Sequence, residues 1–166
     1  IIDTVYSVVS QGSQMSIPME WTVGFSIRKR DKWVFGADYT QSDWRKSNFA
    51  ATPGIIFEPA LSRTLKAGFE FTPDRYSIRY FMRRWTYRLG AYYDQSYMML
   101  NGNQVTAMGV TFGFSVPIYR WYNSIGVSVD AGQRGSFENN LIRERYIMLI
   151  LNFNLHDIWF IKHRYN

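Results

Sequence analysis

The sequence predicts an all-β fold: a transmembrane antiparallel β-barrel, of which this chain forms the C-terminal portion in about seven strands. Three observations predict it. Segments of about ten residues alternate apolar and polar side chains, which in a strand puts the two kinds on opposite faces. The aromatic content is 18%, with 12 Tyr, 12 Phe and 6 Trp, and such side chains collect where one end is apolar and the other wet, as at a bilayer interface. The polar faces of the segments carry charged residues beside glycine and serine, which fits a wet lumen.

The elements follow in chain order. Ile1 to Ser10 is extended with weak alternation, and Gln11 to Gln14 is a polar loop. Ile17 to Arg28 is the first clear strand, with Ile17, Met19, Trp21, Val23, Phe25 and Ile27 opposing Pro18, Glu20, Thr22, Gly24, Ser26 and Arg28. After a charged turn, Trp33 to about Asp43 alternates again, and Trp33 and Tyr39 suit girdle positions at the two interfaces. Arg45 to Pro59 is a long connection broken by Pro53, Gly54 and Pro59. Arg63 to Thr72 is a strand, followed by a tight turn at Thr72-Pro73-Asp74-Arg75. Tyr76 to Arg84 is ambiguous, and Trp85 to Asp94 resumes the pattern. Gln95 to Gln104 reads as a second long loop, Val105 to Val116 as a strand, and Pro117 to Tyr122 as an aromatic turn. Ser124 to Arg134 is a strand, Gly135 to Asn140 a third loop, and Arg145 to Leu155 the last and most apolar strand.

Connections in this reading alternate short and long. Outer-membrane barrels have short periplasmic turns and longer external loops, so the alternation puts the C-terminus in the periplasm and residues 156–166 in a periplasmic tail after a barrel portion at 1–155. An odd count of strands cannot close a bacterial single-chain barrel, so the chain reads as a portion of a larger one. Ile1 in place of Met agrees with a processed chain or a fragment. The expected location is the outer membrane of a Gram-negative bacterium, with lipid bilayer and lipopolysaccharide as surroundings.

Several function classes are set aside. No apolar run approaches the roughly 18 residues of a spanning helix. Cysteine is absent, which removes disulfides and thiolate metal sites. The net charge of +6 is spread over short clusters such as Arg28-Lys29-Arg30 and Arg83-Arg84. It forms no nucleic-acid module and reads as interfacial contact with lipid phosphates. His156 and His163 make no zinc spacing and lie away from the external loops, so neither a metal site nor a hydrolase triad is expected. Gly132 to Gly135 is no phosphate loop, lacking the Lys-Ser/Thr and the following helix. No enzyme activity, catalytic residue or cofactor is expected. The candidate functional residues are the lumen-facing charges Glu20, Arg28, Asp38, Lys66, Glu70, Arg88, Asp94 and Asp130. They either pair across strands to fill the lumen or form a polar lining for a ligand carboxylate or water.

Three stretches carry a family resemblance. WTVGFSIRKRDKWVFGADYTQSDW at residues 21–44 and LKAGFEFTPDRYSIRYFMRRWTYRLGAYY at 65–93 resemble hairpins of the FadL-type outer-membrane transporters for long-chain fatty acids and aromatic hydrocarbons. SIGVSVDAGQRGSF and LNFNLHDIWFIKHRYN resemble the ending of a Gram-negative branch of that family. The resemblance implies a fourteen-stranded barrel with an N-terminal hatch and passive uptake of hydrophobic small molecules such as fatty acids. The alternative is a structural or accessory barrel subunit of a larger outer-membrane complex, with other outer-membrane proteins as partners.

Overall fold

The structure is a computed structural model, and it describes residues 16–47, 57–100, 102–118, 123–135 and 142–156. Its elements are β1 (Glu20–Lys29), β2 (Trp33–Asp43), β3 (Phe57–Pro59), β4 (Leu61–Phe71), β5 (Thr86–Leu100), β6 (Asn103–Pro117), β7 (Ser124–Arg134) and β8 (Glu144–Asn154). They form one antiparallel sheet in the order β1-β2-β4-β5-β6-β7-β8, with the short β3 paired to β5. The seven expected strands are present, and β3 is an eighth inside the connection expected to be a loop. The sheet is not closed into a barrel: among the described residues β1 and β8 do not pair with each other.

Residues opposite each other in antiparallel strands share a face, so the register defines both surfaces. One face is apolar from edge to edge. Its central row runs Ile27, Phe35, Phe69, Leu89, Phe112, Val129, Leu149. Trp33, Phe71, Tyr87 and Phe114 form the rim at the end where β1 turns into β2. At the opposite rim Tyr39 and Tyr93 stand beside Leu65, and two residues further on the face turns polar through Gln41, Arg63, Gln95 and Thr106. From β1 to β8 the apolar stretch slides along the ladder by roughly one residue per strand. At about 3.3 Å per residue and about 4.8 Å per strand this is a tilt of roughly 35°, in the range of transmembrane barrel strands.

Nothing among the described residues packs against this face. Among the described residues the buried hydrophobic ones are Ala60 and Ala107, and no large side chain is fully buried. Phe25 is 56% exposed, Leu149 66% and Ile147 82%. A single layer of sheet has no core of its own; its apolar face needs a second layer, a membrane or a partner. Aromatic pairs staple neighbouring strands on the diagonals: Trp21 and Tyr39 have ring centroids 5.4 Å apart, Phe25 and Phe35 5.8 Å.

Three connections depart from the sequence reading. Gln95 to Gln104 is not a long loop. β5 and β6 run on as strands to Leu100 and from Asn103, and Gly102 between them has φ +78°, a conformation glycine adopts without a Cβ clash. A register shift between Gln95 and Met99 bends β5 and lets Phe57–Pro59 add to it. The expected tight turn at 72–75 is instead the start of a connector that runs from Thr72 to Trp85 and contains a 3-10 turn at Phe81–Arg84. Here Asp74 accepts a bond from the backbone N–H of Tyr76 at 3.1 Å, and Trp85 stacks on Phe114 with centroids 5.2 Å apart. The strict alternation of short and long connections is therefore lost. What survives is an asymmetry of shape, because the β5–β6 hairpin and β3 project beyond the apolar belt at one end only. Residues 1–15, 48–56, 101, 119–122 and 136–141, and the tail from 157 onward, lie outside the described residues.

Candidate functional site

All eight charges singled out in the sequence stand on the polar face, because each occupies the alternate register of its strand. Glu20 and Arg28 lie on β1, Asp38 on β2, Lys66 and Glu70 on β4, Arg88 and Asp94 on β5, and Asp130 on β7. The fold brings some of them together. Arg88 Nε donates to Glu70 Oε2 at 2.8 Å, and the same guanidinium reaches Ser115 Oγ on β6. Asp38 stands opposite Lys66 in the β2–β4 ladder. Asp94 accepts from the Thr64 hydroxyl at 2.6 Å. Asp130 accepts from the Tyr92 hydroxyl at 3.2 Å. Glu20 and Arg28, in contrast, stand at opposite ends of β1.

The centre of this face is a tyrosine cluster that the sequence reading missed. Tyr92 on β5 and Tyr146 on β8 reach toward each other over Gly109 and Gly132, and their hydroxyls hydrogen-bond. A Cβ at Gly109 would sit 2.6 Å from Tyr92 Cζ, and one at Gly132 would sit 2.6 Å from the Tyr146 hydroxyl. The two glycines thus form a bed on which the tyrosines lie flat, tying four strands together and covering backbone that would otherwise be open. The available signal was an aromatic residue in a set otherwise made of glycine and charge, one and two strands away from glycines in the same row.

Charge is segregated along the polar face. Toward the β5–β6 hairpin end it carries Glu20, Asp38, Asp94, Asp130 and Glu144 against Lys66 and Arg134. Toward the β1–β2 turn it carries Arg28 and Arg88 against Glu70, and the turn adds Arg30 and Lys32 against Asp31. One end is acidic and the other basic. Among the described residues no group of His, Cys, Asp and Glu is arranged to hold a metal ion.

At the belt's rim the connector from 72 to 85 presents a second chemistry. Arg83 lies over the Tyr80 ring at 4.8 Å and Arg84 over Phe81 at 4.7 Å, while Phe81 meets Trp85 edge-on at 6.2 Å. Ile78 and Met82 are exposed beside them. Such a mix of aromatic, aliphatic and guanidinium groups suits a boundary between apolar and wet surroundings.

A family model described as BamG matches residues 1–166. No curated protein and no solved structure matches the chain. The family match overturns the FadL-type resemblance. The hairpins that carried it consist of alternating aliphatic, aromatic and glycine residues, a pattern that barrel strands of many families share. The expectation of fatty-acid uptake rested on that resemblance and is withdrawn with it.

Proposed function

The chain belongs to the BamG family, and on that premise we propose that it is an accessory subunit of the BAM complex in the outer membrane of a Gram-negative bacterium. The observation that carries the reading is the uncovered apolar belt, which crosses all seven long strands of a sheet that has no core of its own. In this reading the belt meets lipid over most of its width, and part of it meets another outer-membrane protein. The tilt of roughly 35° and the aromatic rims support the membrane setting.

Edge strands of an open sheet offer unpaired N–H and C=O groups, which demand a partner in an apolar medium. β8 is apolar on its outer face through Ile147, Leu149, Leu151 and Phe153, and it also carries Met148 and Ile150 on the other face. Such a strand is suited to continue the wall rather than to end it. Purification of the full-length protein from membranes in mild detergent tests the assignment. The expected result is recovery with other outer-membrane proteins in fixed stoichiometry. Recovery as a lone species at every detergent strength refutes it.

A further inference from the structure

At the basic end of the polar face lies a trough of about 400 Å³ lined by Arg28, Arg30, Lys32 and Arg75. None of these four makes an ion pair among the described residues. The carboxylates lining the same trough are Asp31 and Glu70, and Glu70 is already engaged by Arg88 at 2.8 Å. Like charges held together against a protein wall raise each other's energy, and the field they set up attracts an anion. The other acidic groups of this face, Glu20, Asp38, Asp94, Asp130 and Glu144, stand toward the opposite end and do not line the trough.

We propose that this trough binds an extended acidic peptide segment. The cations do not converge on one point. They come from β1, from the β1–β2 turn and from the connector after β4. The lining also includes residues of every strand of the sheet path, as far as Asn154 on β8. A compact phosphate would engage only some of these cations, whereas an extended chain can meet those of all three elements in turn. Ser124 on the floor supplies a hydroxyl for its backbone, and guanidinium forks take its carboxylates in pairs. The proposal names the chemistry a neighbouring subunit would present, and in that respect it rests on the accessory-subunit reading. Binding of a peptide by the isolated protein is independent of assembly, so the two fail separately.

The test is fluorescence anisotropy of a labelled oligoglutamate peptide of about ten residues against the detergent-purified full-length protein at physiological ionic strength. Arg28→Glu/Arg75→Glu is expected to weaken binding by about tenfold or more. Arg79→Glu/Arg83→Glu makes the same change in net charge outside the trough and is expected to stay within about twofold. Arg28→Gln/Arg75→Gln, which is gentler on folding, is expected to fall between them. Equal weakening by both charge-reversed pairs shows bulk electrostatics and overturns the proposal, as does no weakening by the trough variants. Displacement of the peptide by equimolar inorganic pyrophosphate would make the site one for a small anion and also overturns it.

Discussion

Tyr92 shows how one residue pins a sheet that has no core. Its ring lies on Gly109 and its hydroxyl reaches Asp130 and Tyr146, so it touches residues of β6, β7 and β8 from β5. Gly109→Val would put a branched side chain where the ring now lies, and the ring cannot lift without losing its hydroxyl partners. The expected cost is about 1–3 kcal/mol of folding free energy, the usual range for overpacking, measured by urea unfolding in detergent or lipid. In a Tyr92→Ala background the same valine should cost much less, because the contact it violates is gone. An equal cost in both backgrounds would show that Gly109 is needed for its backbone and not for the tyrosine. At this scale the sequence was informative about side and silent about contact. Alternation put all eight charges on one face, yet which of them meet depends on the register between strands, and alternation carries no register.

At the scale of the element, β8 was the easiest strand to read, and the structure places it at Glu144–Asn154, one residue from the expected bounds. Leu149 stands in the central row of the belt, and Ile150 faces the other way, opposite Ser128. Leu149→Arg is therefore expected to cost about 2–4 kcal/mol in a bilayer and Ile150→Arg clearly less. Folding measurements in lipid vesicles decide, and equal costs would mean that lipid does not contact that face. The β5–β6 hairpin was the hardest element to read. Polar and mixed residues from Gln95 to Gln104 break the alternation, and the strands continue there because backbone pairing and a glycine turn carry them past the belt. A short epitope inserted after Gly102 is accordingly expected to leave folding intact, since the tip makes few contacts that the belt needs. Loss of the folded protein on insertion would show that the tip docks elsewhere. The connector from 72 to 85 was misread for the converse reason: Pro73 and Asp74 gave a turn signal, but Phe81 and Trp85 then hold the chain at the rim instead of letting it return directly.

On the scale of the whole molecule, the sheet is a tilted wall with one apolar face and one polar face that runs from acidic to basic. The wall was legible because half-apolar strands of about ten residues have few other uses. Family and partner were not, because strand alternation records the solvent on each face and not the identity of a neighbour. The order of connections had fixed the expected orientation, and with that order lost only shape bears on it: in the proposed membrane setting the projecting hairpin end, with β3 alongside, is expected to face the outside, and the basic end with the β1–β2 turn the periplasm. Single-cysteine labelling of intact cells with a membrane-impermeant maleimide tests this membrane orientation, and the absence of native cysteine makes the readout clean. Cysteine at Gly102 is expected to react in intact cells, and cysteine at Lys32 only after the outer membrane is permeabilised. Reaction at both sites in intact cells, or at Lys32 alone, would contradict it.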